Sequence, residues 1–244
     1  MRSCAVTDVG QVRHSNQDFV YASDQPCGIL PDFYMVADGM GGHQGGGFAS
    51  RYAAERLVEL LGSEQEGDVI HAIRRALKEV NFELYQKACS FDDLKGMGTT
   101  VVAAVVDGAT LYVANIGDSR LYVIGQSVRQ ITRDHSWVEE MVAKGRLTRD
   151  SEEFIQNKNV ITRAVGVRDS VTADFFEVDL NPGDRVLLCS DGLSNMVPDD
   201  EIGTILDGAG SCQEGTLALL QAANRNGGRD NISIVLVDPE LGGV

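Results

Sequence analysis

Between Thr99 and Ile131 the chain alternates short apolar runs with brief turn signals, and this restricts the fold to one built on antiparallel sheet. Thr99–Val106 is followed by Asp107-Gly108, Thr110–Ile116 by Gly117-Asp118-Ser119, and Arg120–Ile124 by Gly125-Gln126, before Val128–Ile131 closes the series. Connections this short join antiparallel neighbours, whereas parallel strands need a crossover of about a dozen residues. The spacing predicts a meander, with Gly117-Asp118-Ser119 as one of its hairpin turns. Further strands are expected over 3–9, 17–22, 33–38, 159–165, 174–179, 185–190 and 232–237. Helices are expected over 47–61, 69–89, 198–206 and 212–225, with a short one around 136–144. In the second, Val69, Ile73, Ala76, Leu77, Val80 and Leu84 form one apolar stripe behind an Asp68 cap.

About ten strands exceed one sheet, so two sheets must pack face to face, with the one-sided helices over their outer faces. The expected class is α+β: a four-layer α-β-β-α sandwich of two antiparallel sheets, folded as a single domain over 1–244. Residues 134–158 are more polar, lack a strong strand, and are expected to form a flap.

Two apolar strands end in the same way. Phe33–Ala37 runs into Asp38-Gly39 and a glycine cluster, and Val186–Ser190 runs into Asp191-Gly192. A carboxylate there is held on a rigid element at a rim, and the glycine lets backbone approach whatever it holds. Asp18, Asp118 and Asp230 also sit at strand ends or tight turns. A single Asp-Gly is an ordinary turn; the joint pattern carries the metal reading. Several carboxylates together must be protonated or neutralised by cations, and oxygen donors without Cys or His companions favour Mg²⁺ or Mn²⁺. Arg13 is a candidate phosphate clamp, since a guanidinium grips phosphate oxygens as a fork. His43, just past the glycines, is a candidate proton donor to a leaving oxygen.

The net charge of −15 argues against nucleic acid or an anionic membrane as partner. The 5 cysteines are scattered and form no C-x-x-C pair, as expected of reduced thiols in a cytoplasmic protein. No signal-peptide pattern or membrane-length apolar run occurs. Walker, dinucleotide and serine-hydrolase glycine motifs are absent.

Together these motifs resemble the metal-dependent protein serine/threonine phosphatases of the type 2C (PPM) class, in their bacterial stand-alone form. The matching segments are Thr7-Asp8-Val9-Gly10 through Arg13 to Asn16-Gln17-Asp18, Val36–His43, Gly96-Met97-Gly98-Thr99-Thr100, Ala114–Arg120, Asp134-His135-Ser136, Ile161–Gly166, Cys189–Leu193 and Gly228-Arg229-Asp230-Asn231. The resemblance implies hydrolysis of phosphoserine and phosphothreonine in proteins by direct attack of a metal-bridging hydroxide, reversing a Ser/Thr kinase. It implies two core Mn²⁺ or Mg²⁺ ions plus a weaker third. Asp38 resembles the bridging ligand, the Gly39 carbonyl a ligand of the second ion, and Asp191 and Asp230 ligands of the first. Asp118 resembles a ligand of the third ion, and Asp18 an outer acid holding water. Arg13 matches the substrate-phosphate arginine, and His43 the general acid. The chain has Gln17 where many members carry Glu. Expected partners are phosphorylated proteins and a cognate kinase, with no nucleic acid or membrane and a monomeric state. Rival readings are a small-molecule phosphohydrolase and a silent phosphoprotein-binding module.

Overall fold

The computed structural model describes residues 2–42, 45–239 and 241. Among them eleven strands build two antiparallel sheets. The first contains, in spatial order, β1 (Ser3–Asp8), β11 (Ile232–Val237), β10 (Arg185–Cys189), β7 (Arg120–Ile124) and β8 (Val128–Gln130). The second contains β2 (Asp18–Ser23), β3 (Phe33–Met40), β5 (Val101–Asp107), β6 (Thr110–Ile116) and β9 (Asp174–Asp179), with β4 (Gly98–Thr99) paired to the end of β3. Helices α1 (Gly45–Gly62) and α2 (Val69–Ser90) cover the second sheet. Helices α5 (Asp191–Ser194), α6 (Asp199–Asp207) and α7 (Cys212–Arg225) cover the first. The expected four layers are present.

Three apolar clusters separate those layers. Strand β3 shows how: Phe33, Met35 and Ala37 pack towards α1 and α2, while Tyr34 and Val36 enter the core between the sheets. Both faces are covered, so the strand reads as a continuous apolar run and not as an alternation. Val20, Val102, Val113, Leu121, Leu188 and Val235 complete the inter-sheet core from the other strands.

Three local expectations change. Gly117-Asp118-Ser119 is not a hairpin turn: it carries the chain from β6 in one sheet to β7 in the other. Both edges of β6 are already occupied, by β5 and β9, so β7 finds its partners β10 and β8 across the core. The strand expected from Thr99 to Val106 is divided at Thr100, which turns its hydroxyl and amide onto Asp38. Residues 159–165 form no strand; only single bridges join Val165 to Thr99 and Ile161 to Ser136. The flap excursion therefore runs from β8 to β9 and carries α3 (Trp137–Ala143) and α4 (Glu152–Asn157), each capped by a serine hydroxyl, Ser136 or Ser151. Asp68 caps α2 as expected, accepting from the His71 amide at 3.0 Å. No helix is long and apolar enough to cross a membrane among the described residues.

Candidate metal centre

The pleat that fills the inter-sheet core also builds the site. Two residues beyond Val36 on the same face comes Asp38, and two before Val20 comes Asp18; they are direct cross-strand partners. The same step from the core positions of β5, β6, β7, β10 and β11 reaches Thr100, Asn115, Ser119, Ser190 and Ser233. Apolar packing between the sheets thus gives way, at one rim, to a buried polar layer. Asp191 opens α5 directly after β10, Asp230 precedes β11, and Asp118 lies on the crossing between sheets. All five acids arrive at that rim. A cleft of about 270 Å³ is lined by Arg13, Asp38, Gly39, Asp118, Asp191 and Asp230, with Asp18 buried behind it. A wider groove of about 840 Å³ lies at the opposite end of the sandwich, beside Gly125 and Arg185, and none of these acids lines it.

Crowding has an electrostatic consequence. Burial, then the charges of Asp18, Asp191, Asp118 and Asp230, push the Asp38 carboxyl well above its ordinary range. Burial raises Asp18 to about 7 against the opposing pull of the Ser233 and Ser190 hydroxyls. Burial and then Asp191 raise Asp118 to about 8. Burial and then Asp230 raise Asp191 to about 6, opposed by Lys158, Arg13 and Arg120. Asp18 Oδ2 and Asp191 Oδ1 are buried without a hydrogen-bond partner. Such oxygens cost free energy unless a proton or cation satisfies them.

No three His, Cys, Asp or Glu side chains among the described residues form a ready-made cage for an ion. Mg²⁺-type sites need none, because the ion keeps several waters and takes only one or two carboxylates. A rim of dispersed acids with orphaned oxygens fits that chemistry; a zinc-type enclosure of Cys and His does not.

Neutral residues hold the acids in position. The Asp38 amide donates to Thr100 Oγ1 at 2.9 Å, and its carbonyl accepts from the Thr100 amide at 2.8 Å and Thr99 Oγ1 at 2.9 Å. Asn231 staples the Arg13 loop: Nδ2 donates to the Val9 and Ser15 carbonyls, each at 3.0 Å, and Oδ1 accepts from the Gln17 amide at 2.8 Å. His135 Nδ1 accepts from the Gly117 amide at 3.0 Å, so Nε2 carries the proton and faces Asp174 at 3.0 Å. That bond fixes the backbone just before Asp118. Sequence reasoning assigned none of Thr99, Thr100, Asn231 or Ser190 a role. For Thr100 and Ser190 the signal was a polar residue where the pleat called for one more core side chain.

Arg13 is exposed on the lip, and its Nη2 donates to Asp230 Oδ2 at 2.6 Å. His43 lies outside the described residues. Gly39 must lack a side chain, because a Cβ there would strike the carbonyls of Gly46 and Gln17. Gly192 is tighter still, its missing Cβ pointing into the Asn231 carbonyl. Gly192→Ala is therefore expected to force Asp191 and Asp230 apart, cutting turnover at least about tenfold and lowering the melting temperature by several degrees. Assay and calorimetry of that variant check this, and parental values in both would show that the corner yields freely.

The family model for protein phosphatase 2C matches residues 11–204, and the chain belongs to that family. It is 39% identical to the serine/threonine phosphatase stp of Listeria monocytogenes, over 96% of this chain and 94% of that protein. The crystal structure of serine/threonine phosphatase Stp1 from Staphylococcus aureus superimposes with a TM-score of 0.91 at 34% identity, covering 98% of this chain and 96% of that one. The catalytic domain of the serine threonine protein phosphatase PstP, solved in complex with 2 manganese ions, superimposes at 0.84 with 35% identity and 97% of each chain covered.

Proposed function

We propose that this protein is a metal-dependent serine/threonine phosphatase that hydrolyses phosphoserine and phosphothreonine in proteins. The observation that carries the reading is the rim of partly buried acids gathered from five separate stretches of the chain, lipped by one exposed arginine. Two divalent ions, Mn²⁺ or Mg²⁺, supply Lewis acidity and an activated water when bound, and a third, weaker ion joins them. Asp38, the Gly39 carbonyl, Asp191 and Asp230 hold the core pair, Asp118 serves the third ion, and Asp18 orders water behind Asp38. Arg13 grips the non-bridging phosphate oxygens in its fork and stabilises the charge that grows on them. A bound water or His43 delivers the proton to the departing serine or threonine oxygen. The flap steadies the site, since Lys158 Nζ donates to Asn195 Oδ1 at 2.8 Å and Asn195 Nδ2 to Asp191 Oδ2 at 3.0 Å.

The protein acts as a single catalytic unit over residues 1–244, as a monomer in the cytoplasm, opposing a Ser/Thr kinase. Phosphate release with Mn²⁺ from a phosphothreonine peptide and from a nucleoside monophosphate tests this. The peptide is expected to be turned over at least about tenfold more efficiently in kcat/KM. A preference for the nucleotide would make the protein a small-molecule phosphohydrolase, and turnover of neither would make it a binding module.

A further inference from the structure

A second depression opens directly beside the metal cleft and shares Met40 and Ile161 with it. Its volume is about 330 Å³, and Val167, Val171, Arg163 and Arg168 are among the residues that line the remainder. The geometry points to this depression as the seat for the substrate chain beside the phosphorylated residue, with Arg168 selecting an acidic side chain there. This rests on the protein-substrate reading above.

Three observations carry it. The first is continuity: a chain whose phosphate enters between Arg13 and Asp38 must leave over some wall of the cleft, and Met40 and Ile161 join this wall to the next hollow. Met40, Val167 and Val171 offer apolar surface to its stem, and Val167 is 44% exposed.

The second is charge. In a chain of net charge −15 this hollow carries two arginines and no acid in its lining. Neighbouring flap arginines are spent on carboxylates, Arg149 on Glu139 and Arg163 on Asp174. Arg168 is exposed and enters no such pair among the described residues. A guanidinium left free beside a substrate cleft favours a carboxylate on the incoming chain.

The third is that the wall is prebuilt. Asn81, 1% exposed on α2, accepts from the Gly166 amide at 2.9 Å and donates to the Arg168 carbonyl at 3.1 Å. Thr99 and Val165 exchange backbone bonds at 3.0 and 2.9 Å. Gly98 leaves room for Val167, whose methyl would meet a Cβ placed there. A buried amide bonded to both ends of a three-residue arch fixes the Arg168 backbone, so only its side chain has to be ordered on binding.

The test uses phosphothreonine peptides of one length in which a single Glu or Lys is moved through about four positions on either side of the phosphoresidue, with p-nitrophenyl phosphate as a small ester that cannot reach the hollow. For at least one position the parent enzyme is expected to favour Glu over Lys about fivefold in kcat/KM, mostly through KM, as an exposed ion pair allows. Arg168→Glu is expected to abolish or reverse that ratio while leaving turnover of the small ester unchanged. Equal use of Glu and Lys peptides at every position, or an unchanged ratio in Arg168→Glu, overturns the assignment while the small ester still reports an active phosphatase. Loss of small-ester and peptide turnover in the parent would instead remove the functional reading beneath it.

Discussion

Asp38→Asn is expected to reduce kcat at least about 100-fold while leaving a folded protein that, in chelator, melts no lower than its parent. The two halves have different causes. Asn keeps the shape of Asp, and the three bonds that hold residue 38 all involve its backbone, so the strand end is undisturbed. What disappears is a partly buried carboxylate facing Asp18 across the β2–β3 pair and repelled by three further acids. Without cations that charge opposes folding; with them it organises the chemistry. Its removal trades activity for stability, as expected when a functional site stores strain. Phosphate release and thermal melts with and without Mn²⁺ read both halves. Near-parental turnover would remove Asp38 from the centre of the mechanism.

Chelation is expected to silence the enzyme, with Mn²⁺ restoring it, and to leave a protein whose stability falls as pH rises. Asp191, Asp18 and Asp118 hold their protons up to about 6, 7 and 8 in the fold, against an ordinary value of 3.8. A group whose folded pKa is raised contributes stability that is complete below its unfolded value and lost as pH climbs through the folded one. The stripped protein should therefore lose melting temperature progressively from about pH 4 to about pH 8. Asp32 adds to the same trend, because burial raises it to about 6. Bound cations replace the missing protons at the centre, so the Mn²⁺ curve should fall only by the Asp32 contribution over this window and the gap between the two widen with pH. Parallel curves would show that the acids never compete for a cation, and full activity in excess chelator would remove the metal from the reaction.

The acids were legible in the sequence because each sits at a strand end or tight turn, and Asp38 and Asp191 each close an apolar run and are followed by a glycine. The layers were legible for a similar reason: α1, α2 and α7 show one-sided stripes, and the strands between them are too many for one sheet. Partnership was not legible. Gly117-Asp118-Ser119 has ordinary turn chemistry, and only the occupied edges of β6 show that the chain must cross to the other sheet there. Val160 and Ile161 look like the start of a strand, yet Val160 is 49% exposed and the segment makes only the single bridges of Ile161 to Ser136 and Val165 to Thr99. Thr100, Ser119, Ser190 and Ser233 look like unremarkable small polar residues until the pleat is followed outward from the core. Their burial follows from which strands face each other, and a single chain does not display that.

Asp18 and Asp38 are partners in a hydrogen-bonded ladder, so the distance between them is set by strand pairing and not by loops. Inserting one residue into either strand would rotate its carboxylate to the helix-covered side and disconnect it from the other. An insertion between α3 and α4, at residues 144–151, would leave that ladder untouched. Length differences among related chains should therefore accumulate in the flap, where they can reshape what is accepted without disturbing how it is cleaved.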